Sequence, residues 1–382
     1  MIVAVDARPA AFPRRTGVGH YTRQLLRLLP RVDPETRYVA WYLHARALLG
    51  ERVRLLDEAP PPNLGVRRTP FPSRWFERLS ARLDLPRVEW FVRFDVLFAP
   101  NFVPPPTEAR RLVLTVHDLA FRVLPETAPQ ATRAWLARLD RALRRASRVL
   151  VPSEATRRDL LERAPVAEEV VRVVPEGVDR AVFHPASPQE VAAVRRRFGV
   201  DGPYLLYLGG IEPRKNLPTL IRAFARLPRD LDVRLVVAGS WVAWNPEGVR
   251  DLEAALAGLP AEARARVVRT GYVADPDRRA LLTGAEAFVF PSRYEGFGLP
   301  VLEAMACGTP VVTSNVSALP EVAGDAAILV DPLDEEALAQ AVERVLRDGG
   351  LQQQLRALGL ARAERFSWEE TARRTAQVLH EA

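Results

Sequence analysis

Hydrophobic residues along this chain fall into short solid runs (IVAVD, YVAWYL, DVLFA, LVLTV, RVLV) separated by longer stretches in which apolar and charged positions alternate with helical spacing. Solid runs rich in Val, Leu and aromatics are the mark of strands buried on both faces, and the spaced stretches that of amphipathic helices. The pattern predicts strands near 2–6, 37–43, 64–69, 95–98, 112–116, 148–151 and 170–174, with helices near 18–30, 73–84, 129–147 and 153–163. A Pro-rich passage, VVPEGVDRAVFHPASP, reads as a linker, after which the alternation restarts. Strands are then expected near 203–208, 233–238, 266–270, 286–290, 310–313 and 327–330, and helices near 216–227, 248–258, 276–284, 299–306 and 334–347. Strands and helices alternating at these lengths imply parallel sheets with helices on both faces, an α/β protein. A length of 382 residues exceeds one ordinary core and points to two Rossmann-like domains. The expected boundaries are 1–180, joined by a last helix at about 366–382, and 181–365. Two such sheets facing each other would frame a cleft, and ligands of open parallel sheets sit beyond the carboxyl ends of the strands.

Composition narrows this picture. A hydrophobic fraction of 48% and a charged fraction of 26% are those of a soluble globular protein. No apolar run reaches the ~18 residues of a membrane span, and MIVAVDARPA reads as a strand and not as a signal peptide. The single Cys307 excludes an internal disulfide framework and fits a reducing compartment, so cytoplasmic placement is expected. The net charge of +7 is uneven: residues 1–180 hold 31 Arg against 21 acids, the remainder 23 basic residues against 26 acids. The basic residues are scattered through helices, with no basic tail and no paired Cys/His spacing, which argues against nucleic acid. Peripheral contact of the basic half with an anionic membrane on its inner face stays open beside the plainer reading of a solvated face. Of the 54 basic residues only Lys215 is Lys. A position that kept a compact ammonium where Arg serves everywhere else invites a functional reading.

Four segments carry candidate chemistry. Gly17 and Gly19 precede a predicted helix, whose first amides can approach a phosphate; a mobile loop with a helix start explains them equally. His117 and Asp118 end the strand in RLVLTVHDLAF. There His117 could bind a hydroxyl or move a proton, or simply donate to a neighbouring carbonyl. In YLLYLGGIEPRKNLPTL, Gly209 and Gly210 open a turn, and Arg214 and Lys215 stand before a helix with Asn216 as its expected N-cap and Pro218 in its first turn. Arg can fork across two phosphate oxygens while Lys supplies a point charge. In FVFPSRYEGFGLPVLEAMACGTPVV, Glu295 lies in a Gly-containing loop and Glu303 one turn inside the following helix, with the amides of Phe297, Gly298 and Leu299 between them. Carboxylates accept hydrogen bonds from sugar hydroxyls, and helix-start amides neutralise a diphosphate.

This segment resembles the E-x7-E signature of glycosyltransferase family 4, retaining nucleotide-sugar transferases of the GT-B fold. The resemblance extends over TVHD, VPSEATRRDL, VPEGVD, LGGIEPRKNL, the long EGFGLPVLEAMACGTPVVTSNVSALPEVAGDAAILVDP and the FSW before the last helix. It implies that Glu303 holds the donor ribose, Glu295 the transferred sugar, and Arg214 and Lys215 the diphosphate. It further implies that Phe297, Gly298 and Leu299 offer amides, that the Gly271–Tyr272–Val273 loop borders the base, and that Gly17 approaches the donor phosphate with Gly209 at the turn. His117 would stand near the reacting sugar. Many relatives carry Arg where this chain has Gly210, and Arg214 would replace that charge. The run VTSNVSALPEVAGDAA is similar to bacterial mannosyltransferases that use GDP-mannose, and other UDP-sugar donors stay open. Neither a metal nor another cofactor is expected, the protein cations standing in for a divalent ion. A nucleotide-sugar epimerase of the same architecture and a non-enzymatic sugar-binding protein are the competing readings. A pyridoxal-phosphate phosphorylase is disfavoured because Lys215, the sole Lys, lies in the wrong motif. An acceptor glycan or lipid-linked acceptor would meet the N-terminal half, where residues 70–94 gather Trp75, Phe76, Trp90, Phe91 and Phe94.

Overall fold

The structure is a computed structural model, described for residues 1–11, 17–44, 55–56, 58–127, 132–239 and 246–382. Among the described residues thirteen strands form two sheets in which every pairing is parallel. They are β1 (Ile2–Asp6), β2 (Arg37–Leu43), β3 (Leu64–Thr69), β4 (Val96–Ala99), β5 (Leu112–Thr115), β6 (Arg148–Val151) and β7 (Val171–Val173), then β8 (Tyr204–Leu208), β9 (Arg234–Ala238), β10 (Val267–Gly271), β11 (Ala287–Phe290), β12 (Val311–Ser314) and β13 (Ala327–Val330). The first sheet runs β3-β2-β1-β4-β5-β6-β7 and the second β10-β9-β8-β11-β12-β13. Central strands are buried along their whole length, as in YLLYL of β8 and AFVF of β11. The edge strand β3 instead exposes Val66, Arg67 and Arg68. Arginines on an open edge discourage pairing with a second sheet.

Two compact units result. One comprises Met1–Leu119, Gln130–Gly177 and Trp368–Ala382, the other Ala120–Pro129 and Val178–Ser367. The last helix, Trp368–Glu381, packs on the helix Gly17–Val32 of the first unit, with Trp368 edge-on to Tyr21 at 5.9 Å. In the second unit β8 and β9 approach so closely that a Cβ on Gly239 would lie 1.8 Å from the Gly209 carbonyl oxygen. Glycine there is a packing requirement.

The passage read as a linker ends in a helix, Pro188–Phe198. Ser187 and Glu190 form a capping box at its start and Gly199, in the left-handed conformation (φ 64°), closes it. Pro188 of HPASP is the first residue of this helix, where the ring costs no hydrogen bond. The reading also lacked one helix between 347 and the last helix: Gly349–Ala363 follows directly on Glu335–Arg347, with Asp348 capping the Leu351 amide at 2.9 Å.

Candidate functional site

In the second sheet the chain leaves β8 outward through β9 and β10, then returns to β11 on the other side of β8. The loops after β8 and β11 therefore diverge from neighbouring carboxyl ends, the switch point at which open parallel sheets bind ligands. Both sequence-predicted motifs stand on these two loops.

Pro213–Lys215 form a single 3-10 turn, and Asn216 ends it in the left-handed conformation (φ 58°, ψ 37°). Asn216 occupies the N-cap position of the helix Leu217–Ala225 but makes no side-chain cap. Its amide nitrogen donates to the Pro332 carbonyl at 2.5 Å, and its oxygen accepts from Thr219 at 2.8 Å. The expected cap is corrected: Asn216 ties the loop to the chain after β13. The turn aims its cations at the opposite loop. Lys215 Nζ lies 2.6 Å from Glu295 Oε1, and Arg214 Nη1 lies 3.1 Å from Oε2 and donates to the Tyr294 carbonyl at 2.9 Å. Ser292 donates to Glu295 Oε1 at 2.8 Å, Arg214 Nε donates to Glu212 at 2.9 Å, and the Lys215 ammonium sits 4.9 Å from the Phe290 ring centroid. Burial raises the Glu295 carboxyl, but Arg214 and Lys215, with hydrogen bonds from Lys215 and Ser292, outweigh it and bring the pKa down to about 2. Glu295 is thus ionised and held on both oxygens. Two cations face two carboxylates, so the cluster is close to neutral.

Beyond it, Gly298 (φ 118°, ψ 43°) precedes the helix Leu299–Ala306. A side chain there would meet Leu319 Cδ2 at 2.8 Å. Phe297 packs into the core. The backbone N–H groups of Phe297, Gly298 and Leu299 have no partner among the described residues, so three successive donors remain open at the positive end of a helix.

Glu303 lies on that helix, buried, in a different setting. Its carboxylate Oε2 receives Arg278 of the helix Asp275–Thr283, which also holds Asp275 at 3.0 Å and lies 5.3 Å from the Phe183 ring. Burial pushes the Glu303 carboxyl above the ordinary range, with Arg278 opposing and Asp275 adding to the rise. The two motif glutamates therefore have opposite electrostatics. Of the base-side loop, Gly271 takes φ 71°, Tyr272 is 68% exposed and Val273 is buried.

In the first unit, His117 follows β5, beside the β1–β4 switch point of that sheet. Its Nδ1 lies 3.1 Å from Glu176 Oε1 and its Nε2 3.1 Å from the Pro100 carbonyl. Only the imidazolium can donate to both. Burial alone would lower its pKa, and Glu176, the Pro100 carbonyl and Asp118 turn the shift upward. Gly17 begins its helix exposed, and a Cβ there would meet nothing within 4 Å. Neither space nor backbone demands glycine at that position.

The structure thus joins Arg214, Lys215 and Glu295 directly, with Gly209 at the root of the same loop, and gives Glu303 a separate partner. Sequence reasoning did not single out Ser292, Glu212, Arg278 or Glu176. The first lies inside the quoted FPSRYEG stretch and the last in VPEGVD, so position was available while role was not. Among the described residues no helix is long and apolar enough to cross a membrane.

Comparison with known proteins identifies the family. Residues 15–182 match the family model "Glycosyltransferase Family 4" and residues 173–360 the model "Glycosyl transferases group 1". The chain is 31% identical to the O-antigen chain mannosyltransferase B of Escherichia coli over 98% of both chains. It is 34% identical to the MMP alpha-(1->4)-mannosyltransferase of Mycolicibacterium hassiacum over 63% of this chain and 56% of the relative. Among solved structures it resembles the sucrose-phosphate synthase of Thermosynechococcus elongatus (TM-score 0.75, 23% identity, 100% and 98% of the two chains). It also resembles Anabaena HepE in complex with UDP and glucose (TM-score 0.73, 20% identity, 100% and 99%). With a relative matched from end to end and both halves covered by transferase models, the chain belongs to glycosyltransferase family 4, and it is a glycosyltransferase of the GT-B fold.

Proposed function

We propose that this enzyme moves a hexose, mannose from GDP-mannose, onto a glycan or lipid-linked acceptor in polysaccharide or glycolipid synthesis, retaining anomeric configuration and using no metal ion. The observation that carries the proposal is the Glu295 clamp: a buried carboxylate held ionised by Arg214, Lys215 and Ser292 beside three open helix-start amides. A carboxylate at about 2 cannot serve as a proton donor near neutrality. It accepts hydrogen bonds from the transferred sugar and offsets positive character at the anomeric carbon. In the reaction the anomeric C–O bond breaks and its electron pair goes to the phosphate oxygen. The acceptor hydroxyl oxygen bonds to the same carbon face, and its proton passes to the departing phosphate. Lys215 and the amides of Phe297, Gly298 and Leu299 stabilise the charge on the diphosphate. Arg214, committed to Glu212, Glu295 and the Tyr294 carbonyl, positions the clamp. Arg214 and Lys215 take the electrostatic part that a metal ion would otherwise play. Glu303 would hold the ribose, with Tyr272 and Val273 bordering the base.

The mannosyltransferases among the relatives favour mannose, and the UDP named with HepE keeps UDP-sugars in the comparison. Thermal-shift titration tests the donor: a selective ligand stabilises the folded state as RT ln(1 + [L]/Kd). GDP-mannose should raise the melting temperature more than UDP-glucose at equal concentration. The reverse order would overturn the donor, and a product of inverted anomeric configuration would overturn the retaining step.

A further inference from the structure

A pocket of about 470 Å³ in the first unit lies outside the four segments with candidate chemistry, and takes residues 80–84 from the segment 70–94 read above as meeting an acceptor. Arg82, from the helix Ser73–Leu83, and Arg138, Arg141 and Arg145, from the helix Thr132–Arg145, line it, with Asp84 as its one acidic residue and Leu83 and the run 103–105 as apolar wall. The helix Ser73–Leu83 ends at Asp84, which takes the left-handed conformation (φ 54°, ψ 39°), so Arg82 and Leu83 belong to its last turn. Many of the other described arginines are paired with a carboxylate. Arg8 pairs with Asp6, Arg157 with Glu168, Arg172 with Glu381, Arg278 with Glu303 and Arg347 with Asp230. Among the described residues, Arg82, Arg138 and Arg141 form no ion pair or hydrogen bond, and Arg145 donates only to the Thr107 carbonyl at 2.9 Å. Four arginines line the pocket with Asp84 as its acidic lining residue, and Glu77 is near enough to act on Arg138, which leaves the pocket with an excess of positive charge. Arg138 registers the excess: burial first, then Arg8 and Arg141, lower its pKa, with Asp84 and Glu77 opposing. A planar guanidinium forks across phosphate oxygens with two parallel hydrogen bonds, so several converging forks suit a phosphate group better than a lone carboxylate.

We infer that this arginine-lined pocket binds a phosphate-bearing ligand, separately from the nucleotide-sugar site of the second unit. Leu83, 61% exposed at the rim, gives an apolar continuation that a phosphate carried on a lipid would use and a free phosphate would not.

The test compares the whole protein in three forms: wild type, the pocket variant Arg138→Gln/Arg141→Gln, and the control Arg67→Gln/Arg93→Gln. The control removes the same charge from exposed positions of the same unit away from the pocket. Inorganic pyrophosphate binding is measured by calorimetry, and vesicle binding by co-sedimentation with phosphatidylglycerol or with phosphatidylcholine. Any pyrophosphate taken up near Lys215 is common to all three forms and cancels in the comparison. The pocket variant should bind at least one probe about tenfold or more weakly than wild type and control. A loss confined to pyrophosphate identifies a soluble phosphate ligand, and a loss confined to phosphatidylglycerol vesicles identifies a lipid headgroup. Equal binding of both probes by wild type and pocket variant overturns the inference. So does an equal loss in the control, which would mean that diffuse positive charge is all that acts. Thermal melting checks the fold of each form, and failure of the wild type to bind GDP would strike the donor-site reading and leave this one standing.

Discussion

Arg278→Ala isolates the least expected contact of the site. The substitution leaves the Glu303 carboxylate buried, 10% exposed, without its cation, while Asp275 remains nearby to repel it. Breaking a buried pair by removing one partner costs about 3–5 kcal/mol, most of it the penalty on the charge left behind. Glu303 can escape that penalty by binding a proton. Its carboxyl is already above the ordinary range, and loss of Arg278 moves it higher. A carboxyl raised in the folded state binds protons that the unfolded chain releases, so stability falls as pH rises from the unfolded value toward the folded one. The full loss is therefore expected at pH 8, and a smaller one at pH 6, by up to about 1.4 kcal/mol for each pH unit inside that window. Cys307, also near Glu303, is pushed up to about 12 by burial and stays neutral throughout. Urea denaturation of wild type and variant at pH 6 and 8 reads the difference. Arg278→Ala/Glu303→Gln, which has no charge to bury, should regain stability at pH 8 over the single variant. An equal loss at both pH values, with no gain in the double variant, would refute the account and make Arg278 a packing residue.

Three further outcomes follow from the geometry. Lys215→Ala should slow sugar transfer about 10²-fold or more, the scale of one transition-state electrostatic contact; an unchanged steady-state rate in a folded variant removes Lys215 from the chemistry. His117 should titrate above its ordinary 6.5, contributing stability that is complete below that value and lost as pH rises through the folded pKa. Glu176→Gln should lower the titration seen by NMR, and an unmoved midpoint would break the assignment. Gly239→Ala should destabilise the second unit by more than the ~1–3 kcal/mol of ordinary overpacking, because the new methyl carbon meets a backbone oxygen at 1.8 Å. A melting temperature within a degree of wild type would show that the β8–β9 loops move apart at little cost.

The strands were legible because the physics that buries them also writes them: YLLYL and AFVF have no polar face to confuse their reading. Helices were legible where amphipathic spacing ran uninterrupted. They were lost where punctuation residues serve a second purpose, as Pro188 starts a helix inside an apparent linker and Gly349–Gly350 opens one at an apparent stop. Site chemistry was legible as residue type and not as pairing. Lys215 stood out as the one lysine, and Glu295 and Glu303 through their spacing, yet nothing in that spacing foretold that Lys215 grips Glu295 while Arg278 grips Glu303. The partners lie 80 and 25 residues away and are joined only by the order of strands in the sheet.

That divergence bears on how one short motif can do two jobs. Glu295 stands on a loop at the switch point, where two cations and a serine hydroxyl outweigh its burial, so it presents fixed negative charge. Glu303, eight residues on, has advanced into a helix that carries it into the core, where a single guanidinium only partly offsets burial. A group that must meet developing positive charge needs the first environment, because its charge has to be in place before the bond breaks. A group that only recognises hydroxyls tolerates the second, since either protonation state can hydrogen-bond a ribose. The helix start between them, with Gly298 in a conformation that few other residues adopt, divides one environment from the other. In the proposed reading its open amides receive the diphosphate that joins the two sugars.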